Sequence, residues 1–300
     1  MDVGRQQIAR LPLNKESLRI TQNSFGTTTF TNAPDGTASI QAFYAKNSYS
    51  KSTNPGITGF GFNFAGPVDL TTADQILFSY AVWFPPDFDF VLGGKLPGPY
   101  GGANEQVAKG CAGGRQDGRN LCFSLRLMWR ENGDGEIYAY LPDDPANAGL
   151  LLLNGTVTDP TIYGLSVARG AFRFARGDWT VVAQRVKLNT FGKDDGELEL
   201  WVNGKSVIHA TNVVLRAVPE TQVRGIEAET FFGGSNSSWE SPKDQFAYMA
   251  AFSGATVAPG SSPAEGKRAY PLASGDRLQR SPVFSIATTC LIFAIVSLAL

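Results

Sequence analysis

Between residues 20 and 253 apolar side chains recur at every second position in short runs, and glycine or proline closes almost every run. A period of two belongs to β-strands, because successive side chains on a strand point to opposite faces. "ASIQAFYA" alternates in this way, and "ITGFGFNF" follows just after Pro55-Gly56. "ILFSYAVWF" is a near-continuous apolar run, the pattern of a strand buried on both faces, and Pro85-Pro86 ends it. "CFSLRLMWR" and "EIYAYL" flank "ENGDG", a strong hairpin signal. "WTVVAQRVKL" and "ELELWVNGKSVIHA" come next, the second turning at Asn203-Gly204, and "RGIEAETFFGG" and "FAYMAAFSG" close the series. No stretch sustains a helical period, and no internal repeat or Walker-type glycine motif is present. The 33 glycines and 17 prolines supply turns, while 43% hydrophobic content, with 11% aromatic, supplies a core. The predicted fold is all-β: one antiparallel two-sheet β-sandwich, a jelly roll, over residues 20–253.

The flanks read differently. Residues 1–19 contain no apolar stretch of the kind a signal peptide needs, so they are expected to be an extended segment or the start of a truncated chain. Residues 254–282, rich in Ser, Pro, Gly and Ala, read as a linker. Residues 283–300, "VFSIATTCLIFAIVSLAL", carry no charge and are long enough to span a bilayer. Ala273, Ser274 and Gly275 lie upstream, with Arg277 and Arg280 in a short polar spacer, which is the pattern of a GPI-anchor signal; a retained membrane anchor is the alternative. The expectation is an extracellular or cell-surface protein attached to a membrane through its C-terminal tail. Acceptors for N-glycosylation at Asn154 and Asn236 agree with that route. Cys111 and Cys122 flank the turn-rich "AGGRQDGRNL", where a disulfide would stabilise the loop by roughly 3 kcal/mol. A tail-anchored intracellular protein would keep both thiols reduced.

Charge and rare residues narrow the function. A net charge of −1 gives no reason to expect nucleic acid as a partner. His209 is the only histidine, so a metal site built from imidazoles is excluded, and its place in "SVIHA" reads as a structural strand position. No cofactor, no metal and a monomeric state are expected.

The hairpin carries the chemistry. On "CFSLRLMWR", Phe123, Leu125, Leu127 and Trp129 form one face, and Ser124, Arg126, Met128 and Arg130 the other. On the partner strand Glu136, Tyr138 and Tyr140 share a side. An odd loop of three or five residues centred on Gly133 sets Arg126 opposite Tyr140 and Met128 opposite Tyr138. A two-residue Asn-Gly turn would instead put Leu127 opposite Tyr138 and scatter the polar groups. Upstream, the turn-rich "GGKLPGPYGG" holds Lys95 and Tyr100 in what reads as a loop. Arginine grips carboxylates and stays charged, whereas Lys and Tyr exchange protons when their neighbours shift their pKa values. This set suits β-elimination from a uronic acid: the C6 carboxylate is neutralised, a base removes the C5 proton, and an acid protonates the departing O4.

"GGKLPGPYGG", "CFSLRLMWR", "GEIYAYLP", "GELELWVNGKSVI" and "TFFGGSNSSWESPKDQ" together resemble the polysaccharide lyase family 14 domain, in the form common in fungi. The resemblance covers roughly residues 20–253 and implies a β-jelly roll that cleaves a polyuronate such as alginate or glucuronan. It implies a site of Lys95, Ser124, Arg126, Tyr138 and Tyr140. Arg126 is expected to hold the substrate carboxylate with Ser124 nearby, Lys95 to act as base or second neutraliser, and Tyr140 or Tyr138 to protonate the leaving oxygen. Arg130, Arg185, Lys243 and Tyr100 are expected to bind flanking uronates of the acidic polysaccharide. Two rival readings are a non-catalytic cell-surface carbohydrate module and a glycoside hydrolase. For the latter, Glu227 and Glu229 share a strand face, but no further acidic residue follows at the needed spacing, so they are expected to be exposed strand carboxylates.

Overall fold

The computed structural model describes residues 10–50, 58–66, 68–112, 114–115, 117–158, 164–257 and 290–295. Two sheets face each other. The first runs β1 (Arg10–Leu11), β17 (Cys290–Ile295), β16 (Gln245–Val257), β6 (Gln75–Trp83), β12 (Trp179–Lys187), β13 (Gly196–Val202), β14 (Lys205–Val213), with β4 (Ala38–Tyr44) also paired to β16 and β3 (Thr29–Asn32) to β4. The second runs β11 (Leu165–Arg173), β10 (Asp134–Tyr140), β9 (Cys122–Arg130), β7 (Gly93–Leu96), β15 (Gln222–Phe232), β5 (Phe60–Phe64), β2 (Ile20–Gly26), with β8 (Gly98–Gly102) joining β15 and β9 beside β7. Apart from the short β1–β17 contact, the ladders are antiparallel, as the alternating sequence predicts.

The core lies between the sheets, filled by the inward half of each alternating strand. Phe60, Phe62 and Phe64 of β5 and Phe123, Leu125, Leu127 and Trp129 of β9 meet Ile76, Phe78, Tyr80 and Val82 of β6. An aromatic node forms at one end: Phe232 packs 5.3 Å from Tyr44, 5.4 Å from Trp129 and 5.9 Å from Phe88, centroid to centroid. The polar atoms carried into this apolar volume are satisfied, as burial demands. Trp129 Nε1 donates to the Phe90 carbonyl at 3.1 Å, and Tyr80 Oη to that of Pro97 at 3.1 Å. Each fully buried aromatic contributes about 2–3 kcal/mol through burial of apolar area.

β6 departs from its sequence reading. Its second face is not fully buried: Leu77, Ser79 and Trp83 are half-exposed, since among the described residues no third layer covers this side. Ala81 and Gln75 are hidden there, Ala81 in a small outer cluster with Ala33, Trp179 and Ala250. The turn after β3 closes over that cluster, where Asp35 accepts from Trp179 Nε1 at 2.7 Å.

At the flanks, Leu13 and Leu18 pack into the core, the latter on α1 (Lys15–Leu18), whose N-cap Asn14 accepts from Ser17 N at 2.8 Å. β16 runs to Val257, past the start of the expected linker. Residues 258–289 and 296–300, and with them most of the expected linker and tail, lie outside the described residues; Cys290–Ile295 is a strand between Ser253–Val257 of β16 and the short β1. No helix among the described residues is long and apolar enough to cross a membrane.

The Cys111–Cys122 disulfide is formed, with Cα atoms 5.9 Å apart. It joins the loop after α2 (Glu105–Lys109) to the first residue of β9, so the loop is anchored over one end of the second sheet.

Candidate active site

The outward face of the second sheet gathers the polar side chains. "GGKLPGPYGG" is not a loop: it forms β7 and β8, both laid between β9 and β15 and bonded to each. Its glycines serve close approach rather than turning. A Cβ on Gly98 would come within 2.1 Å of the Leu125 carbonyl oxygen, so a larger residue would force β8 off β9. Lys95 is therefore held in mid-sheet, opposite Met128 on one side and Phe231 on the other.

The hairpin loop is odd, as parity requires, but its centre is Asn132 and not Gly133. Residues 131–133 form it, with Asn132 at φ 60° and Gly133 at φ 83°. The register is thus two residues away from that expected: Arg126 faces Tyr138, Ser124 faces Tyr140 and Met128 faces Glu136. A shift of two preserves the face, so Ser124, Arg126, Tyr138 and Tyr140 share one side.

Lys95 is 8% exposed. Its Nζ lies 2.7 Å from Met128 Sδ and 3.5 Å from the centroid of the Tyr138 ring. Burial pushes this amine well below the usual lysine range, and the Arg126 and Arg130 guanidiniums add to the effect against the weaker opposing pull of Glu136 and Glu229. Burial also raises Tyr138, with Tyr140 adding to it and Arg130 and Arg126 opposing. The two phenols stand edge to face, 5.6 Å apart, and Tyr140 Oη accepts from Gly114 N of the disulfide loop at 3.3 Å. A cation pressed toward neutrality thus meets a phenol that keeps its proton.

Arg126 is 2% exposed and is not the open carboxylate grip expected of it. Its Nη1 donates to Glu229, and its Nε lies 3.2 Å from Glu227 Oε2, close enough to pair but too poorly aimed to hydrogen-bond. Ser124 Oγ donates to the same Glu227 oxygen at 3.0 Å. Nor are Glu227 and Glu229 exposed strand carboxylates: Glu227 is 6% exposed, and both stand on β15 against Arg126. Burial, reinforced by Glu229, lifts Glu227 to about 7 in spite of Arg126 and the Ser124 hydrogen bond. In turn the two carboxylates raise Arg126 against its own burial. Removing one member of such a buried set would strand the other's charge, at about 3–5 kcal/mol.

The expected flanking residues divide. Arg130 joins the site: its Nη2 meets Glu136 Oε1 at 2.5 Å and its Cζ lies 5.7 Å from the Tyr138 ring. Tyr100 lies opposite Ser124 but is buried, its hydroxyl donating to Glu105 of α2 at 3.2 Å. Arg185 is on the first sheet, neutralised by Glu197 and Glu199 at 2.8 and 3.0 Å, and does not reach the site. Lys243 pairs with Asp87 at 2.5 Å in a loop contact of its own. Arg185 falls outside the site because charge alone does not say which sheet a strand joins. His209 lies beside Glu197, 3.5 Å away on the first sheet.

Sequence reasoning missed Glu227 and Glu229 as site members, although their two-residue spacing put them on one face. It also missed Glu136 as the partner of Arg130, and it missed Ser166, Arg169 and Trp239 altogether. Among the described residues no cluster of three or more His, Cys, Asp or Glu is disposed to hold a metal ion.

Comparison with known proteins gives one consistent result. The family profile described as Polysaccharide lyase 14 matches residues 32–252. The structure of a PL-14 alginate lyase from the marine Aplysia kurodai superimposes with a TM-score of 0.73 at 31% identity, covering 83% of this chain and 98% of that one. Alginate lyase vAL-1 from a Chlorella virus superimposes with a TM-score of 0.63 at 27% identity, covering 82% and 98%. Exolysin of Paramecium bursaria Chlorella virus 1 is 28% identical over 198 residues, which are 62% of this chain but only 30% of that longer protein.

Proposed function

This chain belongs to the polysaccharide lyase 14 family, and on that premise we propose that it cleaves a polyuronate of the alginate type by β-elimination. The single observation that carries the reading is the buried Lys95 amine, lowered toward neutrality and in contact with the Tyr138 ring. A neutral amine is a base; a lysine serving only as a cation would not be placed among two arginines in a dry site. The alginate lyases at 31% and 27% identity support the substrate class.

In this mechanism Arg130 lends positive potential to the substrate's C6 carboxylate and to the enolate that develops from it, and Arg126 adds to it to the extent that Glu227 holds its proton. Lys95 Nζ takes the C5 proton. The C5–H electrons form the C4=C5 double bond, the C4–O4 bond breaks, and a phenol gives its proton to O4. Tyr138 is the phenol assigned that step, since its raised pKa keeps it protonated and it lies against the amine that can return the proton. Attachment at a cell surface through residues 283–300 is a further part of the proposal, supported by the uncharged run of that segment, and requires Cys290–Ile295 to leave its pairing with β16.

The test incubates the purified chain with alginate, glucuronan and a neutral β-glucan and follows the ultraviolet absorbance of a 4,5-unsaturated uronate. Absorbance growing on a polyuronate is expected; reducing ends without it would mean hydrolysis, and the proposal would fall. Lys95→Ala and Lys95→Arg are both expected to lose roughly 10²–10⁴-fold in turnover, since a guanidinium keeps the charge but cannot accept the proton. An active Lys95→Arg enzyme would demote Lys95 to a charge neutraliser.

A further inference from the structure

Beside the amine and phenols lies a second group of charges, from which the elimination step draws only on the positive potential of Arg130. Glu136 is fully buried and carries two guanidiniums: Arg130 Nη2 on Oε1 and Arg169 Nε on Oε2, at 2.5 and 2.8 Å. Ser166 Oγ accepts from both arginines, at 2.9 and 2.8 Å, and donates to Glu136 at 3.0 Å. Two cations against one carboxylate leave a surplus positive charge. Among the described residues, Nη1 of Arg130 and Nη1 of Arg169 have no hydrogen-bond partner, and the Arg169 side chain is 32% exposed.

Arg169 reaches this face only through a bulge. Val167–Phe172 of β11 spans no more than Gly135–Ile137 of β10, and Ala168 inside the irregularity sits at φ 51°. Strict alternation from Ser166, which faces Tyr138, would send residue 169 into the core; the bulge re-aims it. Bulges occur next to active sites for this purpose. On the other flank Trp239, half-buried, lies 5.9 Å from the Arg130 Cζ. A flat apolar ring beside unused guanidinium edges matches a uronic acid, which offers a C–H face and a carboxylate.

We propose that Arg130, Arg169 and Trp239 form an accessory subsite for the uronate adjoining the one that is cleaved. The inference rests on the polyuronate reading. Arg130 and Lys95 both lie against the Tyr138 ring, so the subsite is next to the reacting sugar. Its chemical requirement is a second carboxylate: a neutral sugar at this position leaves the surplus charge unmatched.

The test measures initial rates of the full chain and of Arg169→Gln on the polymer and on uronate oligomers of defined length. Arg169→Gln is expected to raise KM roughly tenfold on chains long enough to fill both positions, the value of one charge-assisted contact. The rise on the shortest cleaved oligomer is expected to be much smaller, and the change in kcat smaller still. No rise in KM, or an equal rise at every length, would overturn the proposal. Arg169→Lys keeps a charge against Glu136 and guards against misfolding; an intermediate, length-dependent KM is expected of it. Trp239→Ala, which leaves the ion cluster intact, is expected to reproduce the length dependence. If the wild type yields no unsaturated product from any polyuronate, catalysis by elimination fails separately. The subsite is then decided by calorimetry on the same oligomers, where weaker binding by Arg169→Gln sustains it and equal binding ends it.

Discussion

Glu227 is held between opposing influences: burial and Glu229 favour its proton, while Arg126 and Ser124 favour its charge. Burial prevails, so the folded chain binds this proton more tightly than the unfolded chain does. Its contribution to stability is fully present below the ordinary carboxylate range and is lost as pH rises from about 4.5 to about 7. The amount is on the order of 3 kcal/mol. Thermal midpoints of wild type and Glu227→Gln followed from pH 5 to 8 are expected to diverge, the wild type losing more as pH rises; parallel curves would refute the assignment. At this scale the sequence was partly legible. Ser124, Arg126, Tyr138 and Tyr140 could be placed together because alternation on a strand is a local rule. That Arg126 is already occupied could not be read, since the carboxylates that occupy it come from β15, Glu229 lying 103 positions downstream along the chain.

The hairpin between β9 and β10 shows how little an element needs in order to set a site, provided its parity is right. The three-residue turn could have been centred one position later without moving any catalytic group to the wrong face, because only an odd slip inverts a strand. Inserting one glycine between Asn132 and Gly133 is therefore expected to abolish activity and to cost folding stability, by turning Tyr138 and Tyr140 toward the core. Inserting two is expected to leave measurable turnover of polyuronate. Comparable activity in both insertions would show that the hairpin does not set the site. β11 illustrates the opposite case: its bulge breaks alternation, so Arg169 could not be found by counting. β7 and β8 were hidden for another reason, since glycine and proline signal turns unless a neighbouring backbone demands close approach.

Across the whole molecule, the apolar layer and the polar face are two sides of the same strands. Phe232 belongs to the aromatic node, and its neighbour Phe231 lies opposite Lys95 on β7. Phe232→Ala removes a fully buried ring that packs against Tyr44, Phe88 and Trp129. It is expected to cost about 3–5 kcal/mol, read as a lower urea midpoint at an unchanged slope. Turnover at a temperature where the variant stays folded is expected to fall as well, because β15 carries both the node and the glutamates that hold Arg126. A variant with wild-type stability would show that the node is not the packed centre described.

Sequence alone determined the class of fold, the existence of a polar strand face and the identity of the serine, arginine and tyrosines on it, while Lys95 was implied only by the family resemblance. Those follow from side-chain period, turn chemistry and residue type, all of which act within a few residues. Tertiary structure decided which charges are free and which are spent. It set Lys95 in mid-sheet, gave Arg126 to Glu227 and Glu229, sent Arg185 to the opposite sheet and brought Arg169 round a bulge. The reason is physical: a side chain's charge is cheap to predict in water, but its value in a dry cleft depends on partners that only long-range strand pairing delivers.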